Sequence, residues 1–251
     1  MPNPSLIRRH KGLLRHTLDQ LLLVDLVRYG VVALRFLWFV KVLGRLRTLS
    51  LPGTADAAVA DNTISHNLKG LRDLAVNRSH LLVRPLSVIE ALPVDARVLS
   101  VGPRTEGELM NLAAHGFSWE QISGLDLISY SPKIQLGDMH ETKYVDNQFD
   151  AVVLGWVLAY SEDPARAARE MIRITRPGGI VAVGVEYSPQ SQEQVIAEVG
   201  YLPGAKARIG SCEEILGFFG PAVDHVYCSH VVAPQALGSV GALCVIFSVR
   251  K

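Results

Sequence analysis

A glycine and two aspartates follow short apolar runs at intervals along this 251-residue chain. Val98-Leu99-Ser100-Val101 runs into Gly102-Pro103-Arg104-Thr105-Glu106, Gly124-Leu125 runs into Asp126, and Gly137 precedes Asp138 and Met139. A glycine between a strand and a helix lets a ligand approach the backbone closely, and the helix start offers free N–H groups. A carboxylate at a strand end suits the paired hydroxyls of a ribose. Phe149-Asp150 opens another run, which leads to Leu154-Gly155-Trp156-Val157-Leu158-Ala159-Tyr160, and Arg176-Pro177-Gly178-Gly179 precedes a further one. His140, Tyr160 and Glu186 fall near run ends, where a proton-moving side chain would have to stand. His140 reads first as a rim residue and Tyr160 as a pocket-lining one, which leaves Glu186 as the leading candidate for a general base.

The elements that position these residues alternate. Helices are expected over 85–92, over 105–115 with Thr105 and Glu108 as a capping box, over 163–175, over 188–199 and over 211–219. Strands are expected over 97–101, 121–127, 133–136, 149–154, 180–185, 223–232 and 242–249. The apolar run at 149–154 belongs to a strand covered on both faces. Such alternation makes a doubly wound parallel sheet, a Rossmann-like α/β fold whose ligands sit past the carboxyl ends of the strands. The last two strands are close enough in sequence to pair antiparallel. The dinucleotide fingerprint G-x-G-x-x-G is absent, and no Tyr-x-x-x-Lys pair supports a nicotinamide enzyme.

Taken in order, these segments resemble the class I S-adenosylmethionine-dependent methyltransferases, particularly their small-molecule branch, over about residues 95 to 190. The resemblance implies a seven-stranded sheet with an antiparallel last strand and S-adenosylmethionine as methyl donor. It implies that Gly102 backs the methionine part of the cofactor, flanked by Thr105, and that Asp126 holds the ribose hydroxyls beside Leu127. Asp138 would meet the adenine amino group, with the Met139 backbone at a ring nitrogen. Leu154 and Gly155 would border the sulfonium. Trp156, Tyr160 and Tyr187 would lie on the acceptor side.

The chain departs from the family at the first strand. Ser100 stands where an acid is usual, and Arg104 and Glu106 stand where further glycines are usual. Two readings follow: Glu106 binds the cofactor's ammonium while Arg104 pairs its carboxylate, or these side chains block the pocket and leave a non-catalytic binding module.

Charge is unevenly placed. Residues 1–50 carry nine Lys/Arg against Asp19 and Asp25, whereas the rest of the chain is mildly acidic. Residues 5–47 read as one or two helices whose long basic side chains snorkel to solvent, followed by a linker at Leu51-Pro52-Gly53-Thr54. The expected division is 1–53 as a basic amphipathic extension, 54–80 as a connection and 81–251 as the cofactor domain. The charges that interrupt 20–43 argue against a spanning helix or a secretory signal. The extension is read as an anchor on an anionic membrane surface, as a lid or homodimer arm, or as extra core helices. An anchor would fit a lipid-linked or other small-molecule acceptor.

Cys212, Cys228 and Cys244 lack metal or disulfide spacing, which points to a reduced, cytoplasmic chain. No metal site is expected among the histidines. Nucleic acid is not expected as acceptor, since the cofactor part is acidic and no Asn/Asp-Pro-Pro-Tyr/Phe motif follows the fourth strand.

Overall fold

A computed structural model describes residues 20–49, 64, 68, 79–191, 193–194, 197 and 208–251. In chain order its first half comprises α1 (Asp25–Phe36), β1 (Arg47–Thr48), α2 (His80–Ser87), β2 (Val98–Val101), α3 (Glu106–Ala114), β3 (Ile122–Asp126), β4 (Ile128–Ser129) and β5 (Ile134–Leu136). Then come β6 (Phe149–Gly155), α4 (Pro164–Ile174), β7 (Thr175–Tyr187), α5 (Cys212–Phe219), β8 (Val223–His230) and β9 (Gly241–Val249).

The seven-stranded sheet has the order β5-β3-β2-β6-β7-β9-β8. β5, β3, β2, β6 and β7 run parallel, and β9 lies antiparallel between β7 and β8. Strand order reverses between β2 and β6, so β3 departs to one side and β7 to the other. The topological switch point lies there, at Gly102 and Gly155. Each face of the sheet buries its own apolar cluster. One packs Leu82 and Leu86 of α2 and Leu109 and Leu112 of α3 on Val98, Ala151 and Ile180. The other packs Met171 and Ile174 of α4 and Ile215 of α5 on Leu99, Val152 and Val181.

Local chemistry accounts for the helix boundaries. Asp163 caps α4 by accepting from the Arg166 N–H at 2.8 Å, and Ser211 caps α5 through Glu214. Thr105 caps α3, but its hydroxyl accepts from Gly107 at 3.2 Å rather than from Glu108, the partner expected of a capping box. The helix expected over 85–92 is displaced: α2 begins at His80 and contains Pro85, and 88–92 form turns. Proline read as a first-turn residue is here an interior one, and the short helix stops two residues after it. The helix expected over 188–199 falls largely outside the described residues, as do residues 5–19 and the linker at 51–54.

The connection from β3 to β5 is unusual. Parallel neighbours need a crossover of a dozen or more residues, most often with a helix. Here Leu127–Lys133 makes the passage, and its only regular piece is β4. The N-terminal segment fills the space. Phe36, Phe39 and Val40 pack on the cluster that contains Tyr130 and Ile134, and the Phe36 and Tyr130 rings meet edge to face at 5.0 Å. β1 pairs antiparallel with β4, and the Leu49 N–H donates to the Leu127 carbonyl at 2.8 Å. α1 continues into a π-helical turn, Leu37–Val42. Arg28 does not snorkel. It is fully buried, with its guanidinium on Asp25 at 2.6 Å and on the Leu22 carbonyl at 2.9 Å.

Candidate functional site

Gly102 leaves β2 with φ +69, and a methyl group there would overlap the Val157 side chain. Val157 follows Trp156, whose own φ of +62 turns the chain sharply after β6. Arg104 has φ +52, the left-handed backbone that glycine adopts without strain. Its N–H donates to Asp126 at 2.9 Å, and the Ile128 N–H donates to the other carboxylate oxygen at 3.0 Å. Asp126 is therefore at its expected strand end but faces the chain's own backbone, 4% exposed.

Burial, opposed only in part by those two hydrogen bonds, raises the Asp126 carboxyl to about 6 from 3.8. A folded-state value above the unfolded one means that Asp126 favours the fold fully below pH 4 and loses that contribution as the pH rises through 6. The loss is about 3 kcal/mol for two units. Denaturant titrations from pH 4 to 7 should therefore show wild type losing stability relative to Asp126→Asn. A pH-independent difference between the two would refute this.

Glu106 stands at the first position of α3, fully buried. Its carboxylate accepts two bonds from Arg35 of α1, at 2.5 and 2.9 Å, and a third from the Ser131 hydroxyl. Its N–H donates to the Tyr130 hydroxyl at 2.9 Å. The hydrogen bonds it donates to Glu106 hold the Arg35 guanidinium above its ordinary value, against burial. The expectation that Glu106 and Arg104 side chains share the two ends of a zwitterion does not describe this arrangement, because Glu106 already has a cation inside the chain. Glu108, read in the sequence only as a capping residue, stands beside Gly155 at the switch point. It is buried, and its Oε2 lies 3.1 Å from where a Cβ on Gly155 would stand.

Asp138 and His140 are drawn together. His140 Nδ1 lies 2.6 Å from Asp138 Oδ1, and its Nε2 lies 2.6 Å from Ser161 Oγ. Burial pushes the Asp138 carboxyl up, but the ring and backbone hydrogen bonds of His140 outweigh it and hold the group below its usual range. The order Asp-His-Ser is that of an activated serine. Ser161, however, is fully buried, and its Oγ also accepts from the Asp163 N–H at 3.1 Å. This chain of bonds ties the loop after β5 to the loop after β6, and it occupies both nitrogens of His140.

The remaining candidates are spread out. Leu154 and Gly155 are buried at the end of β6, and Met139 and Leu127 are half-buried. The Trp156 ring, expected at the acceptor boundary, is core: it packs beneath α2 beside Gly184 and is 5% exposed. Tyr160 is half-buried in the turn that follows Val157. Glu186 is exposed near the end of β7, and the neighbouring Tyr187 hydroxyl donates to the Leu237 carbonyl at 3.2 Å. Among the described residues no group of three His, Cys, Asp or Glu is placed to hold a metal, and no helix is long and apolar enough to cross a membrane.

Residues 99–183 match the family described as a methyltransferase domain. A demethylmenaquinone methyltransferase of Desulfitobacterium hafniense is 37% identical over 49 residues, 20% of this chain and 19% of that protein. A ubiquinone/menaquinone biosynthesis C-methyltransferase of Bdellovibrio bacteriovorus is 37% identical over 60 residues, 24% of this chain and 23% of its own. The chain thus spans about a fifth of the length of these curated relatives. Among solved structures, one assigned as a sarcosine dimethylglycine methyltransferase of Galdieria sulphuraria aligns with TM-score 0.52 at 14% identity, over 70% of this chain and 87% of that one. A chain of the complex between the Haloferax volcanii Trm112 methyltransferase activator and a methyltransferase aligns with TM-score 0.52 at 17% identity, over 76% and 96%.

Proposed function

We propose that this chain, whose residues 99–183 match a methyltransferase domain, is a class I S-adenosylmethionine-dependent enzyme and transfers a methyl group to a hydroxyl of a small or lipid-linked acceptor held at a membrane surface. The observation that carries the reading is the convergence of carboxylates on the carboxyl edge of the sheet. Asp126 ends β3, Asp138 follows β5, and Glu108 reaches the end of β6. Such a set suits a ligand with a ribose, an adenine amino group and two positive charges.

The donors suit that cofactor; the space does not, in the closed form described. Val157 rests on Gly102, and both oxygens of Asp126 are engaged by backbone. Binding requires the turn after Trp156 to swing away. The same closure supports a second reading, a non-catalytic module of the same fold. Of the residues able to take a proton, Glu186 is exposed near the end of β7 while His140 is tied to Asp138 and Ser161, so Glu186 is the base in this reading. The apolar, basic N-terminal segment supports a lipid-like acceptor.

Calorimetry with S-adenosylmethionine and its demethylated product separates the enzyme from an empty module of the same fold, and a transfer assay separates it from a module that binds the cofactor without catalysis. The enzyme reading expects micromolar affinity for both ligands, about −8 kcal/mol. Absence of heat for either, with the protein folded, leaves the non-catalytic module. Full transfer by Glu186→Gln would remove Glu186 from its role.

A further inference from the structure

The outer side of α1 and of the turn after it is apolar as well as the inner one. Leu26, Leu34, Leu37, Trp38 and Val42 are exposed, Leu26 by 78%, although Val32 is fully buried beneath them. Positions 26, 34 and 37 share one helix face. Lys41, Arg45 and Arg47 follow, all exposed, and within 20–49 the one acid, Asp25, is held by Arg28. Monomers rarely leave so apolar a face in water, and its basic flank is complementary to an anionic bilayer.

We infer that docking of this face on an anionic bilayer unclasps Arg35 from Glu106 and so opens the crevice at Gly102. The inference rests on the membrane reading above. Arg35 lies between Leu34 and Phe36 and is about one-third exposed, with its guanidinium 5.2 Å from the Phe39 ring and 5.8 Å from that of Trp119. Its guanidinium reaches inward to Glu106 while part of the side chain stays open to solvent. A lipid phosphate offers the planar guanidinium the same paired geometry as the Glu106 carboxylate. Once a headgroup takes Arg35, Glu106 is a fully buried carboxylate without its cation, and such a charge is not tolerated. The turn at Thr105–Gly107 must then move. That turn continues into the Arg104 N–H that holds Asp126, and through Pro103 into Gly102 beneath Val157. Lipid contact thereby loosens both groups that close the crevice.

The test uses the full chain with vesicles of phosphatidylglycerol and phosphatidylcholine, vesicles of phosphatidylcholine alone, and inorganic phosphate. Hydrogen exchange of the amides of residues 104–108 is the first readout, and equilibrium dialysis of S-adenosylmethionine is the second. On anionic vesicles the exchange should quicken about tenfold and the affinity should rise about fivefold, with no change on neutral vesicles or in phosphate. Arg35→Lys keeps the charge but cannot make two parallel bonds, so its 104–108 amides should exchange fast without lipid. Sedimentation with anionic vesicles but unchanged exchange overturns the coupling and leaves the membrane reading standing. No sedimentation overturns both. Equal acceleration by inorganic phosphate overturns the bilayer as the trigger.

Discussion

Replacing Arg35 by Met should destabilise the protein by about 3–5 kcal/mol and lower its melting temperature by on the order of 10 °C. The expectation follows from an asymmetry in the Arg35–Glu106 pair. Arg35 is partly in water, whereas the Glu106 side chain is fully enclosed. Removing Glu106 leaves a guanidinium that solvent can reach; removing Arg35 leaves a buried carboxylate hydrogen-bonded by the Ser131 hydroxyl at its own helix start, without its paired cation. Glu106→Gln should accordingly cost about 1–2 kcal/mol, less than Arg35→Met. The double variant should be more stable than Arg35→Met alone, because it removes the stranded charge. Urea denaturation of the three variants decides the matter. Equal losses for the two single variants would mean that the pair contributes little beyond packing.

Gly102→Ala should be nearly as damaging, at about 2–4 kcal/mol, for two separable reasons. The left-handed backbone at φ +69 is strained for any residue with a Cβ, and the new methyl would overlap Val157. Truncating Val157 to Gly relieves only the second, so Gly102→Ala/Val157→Gly should recover roughly half of the loss. Val157→Gly alone is the more informative change. It removes the side chain that rests on Gly102, and S-adenosylmethionine should bind about tenfold more tightly as a result, since less energy goes into opening the crevice. Unchanged affinity in that variant would mean that Val157 is no plug and that the closure lies with Asp126 and the Arg104 N–H.

The sheet was legible because parallel strands buried on both faces write themselves as uninterrupted apolar runs, and the residues that follow those runs mark its carboxyl edge. Asp126 and Asp138 were found in that way, and both stand at the strand ends expected of them. Their engagement was not legible. Nothing local distinguishes a carboxylate that awaits a ligand from one that accepts the Arg104 and Ile128 amides. Glu106 was read against the nearest positive charge in sequence, Arg104, while its partner lies 71 residues earlier on α1. Trp156 was misplaced because the positive φ that turns its ring into the core leaves no trace in residue type. Glu108 was hidden by a second plausible role as a helix cap. One clue was present: the few residues between β3 and β5 are too short for a crossover helix, which implies that some distant segment must cover that edge.

That borrowed cover bears on where the protein can be cut. The residues that match the methyltransferase family begin at 99, yet Phe36, Phe39 and Val40 lie against the cluster holding Tyr130 and Ile134, and β1 supplies the neighbour of β4. A fragment excised at the family boundary would bare aromatic surface and an unpaired backbone edge together, the pairing most prone to self-association. Modularity in sequence and autonomy in folding part company here: the portion that matches a known family is covered by a stretch of chain outside it.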